Sequence, residues 1–86
     1  MSDLQAQFEI ATQDAQTLPE KPSNEELLLL YSYYKQATKG DARGKRPGFT
    51  NMVGRAKYDA WANLKDMSQE DAMQSYNDLV ARLKAS

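Results

Sequence analysis

Tyr31, Tyr34 and Lys35 stand at i, i+3 and i+4 in the stretch LLLLYSYYKQATKG, residues 27 to 40, so on a helix two phenol rings and an ammonium share one face. A cation beside stackable rings suits a phosphate next to a flat group. Stacking a base on an aromatic ring is worth roughly 1–3 kcal/mol, and a hydrogen bond to a charged group roughly 1.5–3 kcal/mol. The same spacing also fits a lysine stem lying along core tyrosines. Lys57 is an independent signal: Val53, Ala60, Trp61 and Leu64 lie at −4, +3, +4 and +7 from it, which centres the ammonium on an apolar helical face. Desolvating an unpaired ammonium is costly, so it must reach water, pair with a carboxylate or meet an anionic ligand. Tyr76 sits at the centre of a further apolar stripe, a place where core tyrosine is also common. Jointly these residues point to one site for a molecule with phosphates, a flat ring and an apolar part.

Other chemistries lack their residues. The 86-residue chain has no histidine and no cysteine. The commonest metal ligand, the commonest general base, the Ser/His and Cys/His constellations, thiolate metal sites and disulfides are therefore all missing. No catalytic residue, metal site or cofactor is expected. The formal charge of −1 hides a strong segregation. Residues 35 to 57 hold Lys35, Lys39, Arg43, Lys45, Arg46, Arg55 and Lys57 against the single acid Asp41, a net of +6, while the remainder holds four cations against eleven acids, a net of −7. A basic patch in an otherwise acidic chain favours a local anionic partner over general polyanion binding, and it also fits a solvated loop. The N-terminus has no basic start followed by an apolar run, and no segment approaches the roughly 20 apolar residues that span a bilayer. A soluble cytoplasmic protein without stable membrane insertion is expected.

Four helices must position these groups. The first follows Ser2 or Asp3 as N-cap and carries Leu4, Phe8, Ala11, Ala15 and Leu18 on one stripe, stopping at Pro19. PEKP is an extended connection, because the residue before a proline avoids the helical region. Ser23 with Glu26 reads as a capping box for the second helix, which runs to about Lys39 and stops at Gly40. On that helix Leu27 to Leu30 point to four quadrants, and only the arc of Ser32, Lys35, Gln36 and Lys39 is plainly polar. A small bundle cannot surround one of its own helices, so part of this apolar surface is predicted to be free for another use. DARGKRPGFT, residues 41 to 50, is predicted to be a loop, the third helix to span about Asn51 to Lys65, and Ser68 with Asp71 to cap a fourth that carries Ala72, Met73, Tyr76, Leu79, Val80 and Leu83 on one face. The fold class is all-α, a bundle of four short helices in one domain.

The stretches YSYYKQATKGDARGKRPG at 31 to 48 and GRAKYDAWANLKDMSQEDAMQSY at 54 to 76 closely resemble the acyl-CoA-binding protein family. The likeness covers essentially the whole chain, including the PEKP connection and the loop, and the run YKQAT, then GD, then RPG at these spacings is highly specific. The resemblance implies an up-down-down-up four-helix bundle forming a single acyl-CoA-binding domain over residues 1 to 86. It further implies non-catalytic, one-to-one binding of medium- and long-chain fatty acyl-CoA thioesters by a monomer that acts as carrier and pool former. On this likeness Tyr31, Tyr34, Lys35 and Lys57 handle the adenine and the ribose 3′-phosphate, and Tyr76 contacts the CoA moiety. Ser32 and Tyr33 fall inside the same segment, and Leu27, Leu28 and Val53 are candidates for the apolar acyl groove. The chain departs from the pattern at Gln16 and Val53, where basic residues are frequent, at Tyr58, where tryptophan is typical, and at Asp66, where glycine is common. Altered phosphate affinity or chain-length preference is therefore expected. Read from the residues alone, a nucleic-acid-binding module on the basic segment and a protein-interaction bundle on the second helix stay open.

Overall fold

The computed structural model describes residues 3 to 85. Helix α1 spans Asp3–Asp14, α2 Asn24–Lys39, α3 Met52–Ala62 and α4 Gln69–Ala85, and there is no strand among the described residues. The packing order is α1, α4, α2, α3, with α2 between α4 and α3. The ion pair from Lys84 Nζ to Asp14 Oδ2 (2.9 Å) joins the C-terminal ends of α4 and α1, which therefore run the same way. Gln69 Nε2, at the start of α4, donates to the Ala37 carbonyl near the end of α2 (3.1 Å), so α2 opposes α4. Lys35 on α2 lies over Trp61 on α3, while Lys57, nearer the start of α3, lies over Tyr31, so α2 and α3 are parallel. The bundle is thus up-down-down-up, flattened to 37 × 30 × 15 Å.

The core is one cluster. Phe8 and Ala11 of α1, Leu30 and Ala37 of α2, and Ala72, Tyr76, Leu79, Val80 and Leu83 of α4 bury together, matching the stripes expected for α1 and α4. Local chemistry sets the helix ends. Ser23 accepts from the Glu26 amide (3.1 Å) while Glu26 accepts from the Ser23 amide (2.8 Å), the reciprocal box that the sequence predicts. Gly40 closes α2 with φ 80°, its backbone N–H donating a hydrogen bond to the Gln36 carbonyl (3.1 Å). Ser68 accepts from the Asp71 amide (3.0 Å) at the start of α4.

Two expectations need correction. α1 gives way to a 3-10 turn at Ala15–Thr17, and Leu18 is extended (ψ 144°) because Pro19 follows it; Asp3 already belongs to the helix, and Ser2 lies outside the described residues. α3 begins one residue later than predicted, since Asn51 is its cap and accepts from the Gly54 amide (3.0 Å); a Cβ at Gly54 would stand 2.5 Å from Asn51 Nδ2, so glycine leaves room for the cap. The same helix ends at Ala62 rather than Lys65, where i→i−3 turns tighten the chain and Asp66 takes a left-handed φ of 75°. Within the polar arc of α2, Gln36 and Ser32 are among the most buried side chains, at 0% and 1% exposure. Gln36 Nε2 donates to Asp41 Oδ1 and to the Met67 carbonyl, both at 2.8 Å, and Asp41 Oδ1 also accepts from the Asp66 amide (2.9 Å). One amide side chain therefore ties α2 to the loop and to the turn before α4 through its two donor hydrogens, while its Oε1 is buried without a partner among the described residues.

Candidate functional site

Two hollows flank α2 and meet at the contact between Tyr31 and Lys57. The first, about 410 Å³, runs between the N-terminal halves of α2 and α3 and is lined by Asn24, Leu27, Leu28, Met52, Val53, Ala56 and Lys57. Residues 24, 27 and 28 share one face of α2, and 52, 53, 56 and 57 one face of α3, because each set repeats at helical spacing. Leu27, Leu28 and Val53 were expected here from the sequence. Asn24, Met52 and Ala56 were not, although a step of three from Leu27 and Val53 reaches Asn24 and Ala56, and a step of four from Ala56 reaches Met52. Leu27 is 39% exposed and Val53 69%, so the groove is open to water.

The second hollow, about 430 Å³, is lined by Thr12, Ala15 and Gln16 after the middle of α1, Leu30, Tyr31 and Tyr34 of α2, and Tyr76 of α4. Its floor is aromatic. Tyr34 stacks on Phe8 with ring centroids 5.9 Å apart, and Tyr76 meets Phe8 edge-on at 5.1 Å. Burial, and secondarily the nearby Tyr34, pushes the Tyr76 phenol above its ordinary pKa, so it is neutral and able to donate.

The cations lie beside these hollows. Lys57 Nζ lies 5.4 Å from the centre of the Tyr31 ring, and Lys35 Nζ lies 4.9 Å from the Trp61 ring, both within cation–π reach. Neither lysine belongs to an ion pair among the described residues. Lys57 is exposed and so reaches water, one of the outcomes that its place on an apolar face allowed. The face shared by Tyr31, Tyr34 and Lys35 divides: Tyr34 turns towards α1 and α4, the Lys35 ammonium towards α3, and Tyr31 lies between them, lining the aromatic hollow and meeting Lys57 of α3. Such a pair of cations, one over a tyrosine and one over a tryptophan, can take a phosphate without first breaking a carboxylate contact.

Ser32 and Tyr33 are not in this group. The Ser32 hydroxyl donates to the Leu29 carbonyl (3.0 Å) inside the bundle. Tyr33, half-buried, packs on the core and lines a separate cleft of about 390 Å³ with Leu29, Ser75, Asp78, Leu79 and Arg82, between α2 and α4. The basic loop is pinned to α3. Arg46 makes a bidentate pair with Asp59 (2.7 Å for both bonds), the Tyr58 hydroxyl donates to the Gly44 carbonyl (3.1 Å), and Trp61 Nε1 donates to the Gly40 carbonyl (2.8 Å). The Arg46 contact holds the Asp59 carboxyl below its usual pKa. Trp61 thus has two duties that its place in an apolar stripe did not reveal: it anchors the loop and underlies Lys35. Among the described residues there is no group of His, Cys, Asp and Glu able to hold a metal ion and no helix long and apolar enough to cross a membrane.

The sequence profile of the family described as Acyl CoA binding protein matches residues 5 to 80. The chain is 49% identical over 83 residues to Acyl-CoA-binding domain-containing protein 5 of Xenopus tropicalis, a match covering 92% of this chain and 18% of that protein. It is 50% identical over 78 residues to Acyl-CoA-binding domain-containing protein 4 of Homo sapiens, covering 86% and 29% respectively. The chain therefore spans less than a third of the length of these relatives. Among solved structures it is similar to Acyl-CoA-Binding Protein 2 of Oryza sativa, with TM-score 0.89 at 46% identity over 93% of this chain and 87% of that one. It is also similar to ACBP from Moniliophthora perniciosa, with TM-score 0.87 at 39% identity over 96% and 80%.

Proposed function

Since this chain belongs to the acyl-CoA-binding protein family, we propose that it binds medium- and long-chain fatty acyl-CoA thioesters one to one and without catalysis, as a monomeric carrier and pool former in the cytoplasm. Residues 1 to 86 act as a single binding domain in this reading, with no nucleic-acid partner and no inserted membrane segment.

The observation that carries the proposal is the place of Lys57. This residue lines the apolar groove and also stands over Tyr31, which lines the aromatic hollow. A ligand held there would have its apolar part and its phosphates joined across one lysine, which suits a fatty chain linked to a nucleotide. Lys35 and Lys57 take the phosphates, Tyr31 and Tyr34 offer faces for the adenine, and Tyr76 offers a neutral hydroxyl to the CoA moiety. Leu27, Leu28 and Val53, with Met52 and Ala56, receive the chain. Ser32 and Tyr33 act from behind by fixing α2 in the bundle.

The magnitudes fit. Two charge-assisted contacts and one or two stacking contacts give roughly 5–10 kcal/mol before costs, and each buried methylene adds roughly 0.8 kcal/mol. Association costs roughly 4–15 kcal/mol, so the chain decides whether binding is tight. Titration calorimetry with palmitoyl-CoA, coenzyme A, free palmitate and a short oligonucleotide tests this. Palmitoyl-CoA is expected to bind far more tightly than coenzyme A. Equal affinity for the two, or preferred binding of the oligonucleotide, would sink the carrier reading.

A further inference from the structure

A further hollow, larger than the two that flank the candidate site, lies away from both lysines. It measures about 600 Å³ and opens where α1 and α4 start and α2 ends, the opposite end of the bundle from the apolar groove. Its floor is apolar, formed by Leu4 and Phe8 of α1, Ala37 of α2 and Met73 of α4. Its charge is one-sided. Glu9 and Glu70 line it, no lysine or arginine does, and neither carboxylate belongs to an ion pair among the described residues. Glu70 has a local reason for its place, since it offsets the positive end of α4 from the first turn, but Glu9 stands in the body of α1 and has none. Lys39 follows the lining residue Thr38, yet at i+4 from Lys35 it shares that residue's face of α2 instead.

An apolar floor between two carboxylates fits a cationic occupant with an apolar anchor. Nucleic acid and anionic lipid both present phosphates, which the carboxylates repel. No strand edge is present among the described residues, and the helices around the hollow bond their own backbone, so recognition rests on side chains. An amphipathic helix is received in that way. Charge complementarity also sets the approach: residues outside 35 to 57 carry −7 and draw a cationic helix to this end, while the +6 segment turns it away from Lys35 and Lys57.

We propose that this hollow docks a cationic amphipathic helix of a protein partner, with an apolar side chain on Phe8 and Met73 and flanking Lys or Arg on Glu9 and Glu70. Docking leaves the apolar groove, Lys35 and Lys57 uncovered. It requires no ligand; only its use, presenting the carrier to a protein that supplies or consumes the ester, rests on the acyl-CoA reading.

The test is an NMR titration of the isotope-labelled full chain, without acyl-CoA, with an alanine-based helical peptide of about 15 residues that carries leucine at i and i+4 and lysine on either side of them. Amide shifts are expected at Glu9, Thr38 and Met73 and not at Met52 or Val53, and the affinity should fall at high salt. Glu9→Gln with Glu70→Gln lowers the affinity roughly three- to tenfold, and Met73→Gln lowers it about fivefold. The same peptide with glutamate for lysine is not bound. The paired glutamine variant keeps its palmitoyl-CoA affinity. No shift at about 1 mM peptide, equal binding of the acidic peptide, or an affinity indifferent to the paired glutamine variant would each overturn the proposal. So would lysine amide giving the same shifts at the same concentration, which marks a small-cation site, or self-association of the chain that the paired glutamine variant abolishes, which marks a second copy as occupant. Loss of palmitoyl-CoA binding with peptide binding kept would overturn the acyl-CoA reading and leave the docking intact.

Discussion

α2 faces α4 across one seam and α3 across the other, and the two treat polar groups in opposite ways. Towards α4 and the turn before it, Gln36 is fully buried with both amide hydrogens donated, Ser32 is bonded to the backbone, and Ala37 and Leu30 pack without exposure. Towards α3, Leu27 and Val53 stay open, and Lys35 and Lys57 rest over aromatic rings with no carboxylate. A side chain in the closed seam contributes to folding because its partners are internal. One in the open seam contributes little, because its best partner has to come from outside. The lesson is that α2 is apolar nearly all round because it lies between two helices, only one of which it fully closes against.

The widest separation is expected from Lys35→Ala combined with Lys57→Ala. Each lysine is worth roughly 1.5–3 kcal/mol to a phosphate, so each change should weaken palmitoyl-CoA binding roughly 10- to 150-fold by calorimetry, and the pair more. The midpoint of thermal unfolding should stay almost unchanged; a large fall would move these lysines to the structural side. Gln36→Leu is the counterpart. It leaves the Met67 carbonyl without its partner and is expected to cost about 2–3 kcal/mol, lowering the midpoint roughly 10–20 °C while the folded protein keeps its affinity.

Acid should act on the closed seam and the caps. The hydrogen bond donated by the Gln36 side chain, then that from the Asp66 backbone, holds Asp41 below its ordinary value of 3.8; the Ser23 backbone and hydroxyl hold Glu26 below 4.5; and Arg46 holds Asp59 below 3.8. A carboxyl whose pKa is lower folded than unfolded contributes stability that is present above its unfolded value and lost as pH falls through its folded one. Thermal midpoints should therefore be level from neutrality down to about pH 5 and fall below about pH 4. Gln36→Leu should reduce that fall, since it removes the leading cause at Asp41. The smallest effect is expected at Asp66, whose φ of 75° favours glycine: Asp66→Gly should raise the midpoint by about 2–4 °C, some 0.5 kcal/mol, without touching the open seam.

Much of this was legible in the sequence. The Ser23–Glu26 box, the Gly40 stop, the α1 and α4 stripes and the loop follow from rules that act within a few residues, and they appear as expected. Leu27, Leu28 and Val53 were named from the family resemblance, while the surplus of apolar surface on α2 showed only that some of it would be free for another use. What periodicity could not show is which polar residues are buried. Gln36 shares an arc with Lys35 and Lys39, and its burial depends on Asp41 and on the Met67 carbonyl, 31 residues away. The separation of Ser32 and Tyr33 from Tyr31 was not legible either, since it depends on which helix lies on each side of α2.

By itself the sequence determined where α2 begins and ends and where α4 begins, which residues share a helical face, and that cations collect in one segment of an acidic chain, because propensity, capping and periodicity are local. The tertiary structure decided the rest: that Lys35 rests on Trp61 and Lys57 on Tyr31, that Arg46 is neutralised by Asp59 while its neighbours are not, and that Gln36 is inside. Periodicity fixes the direction in which a side chain leaves its helix, but its partner in that direction belongs to another element, placed there by the packing of all four helices.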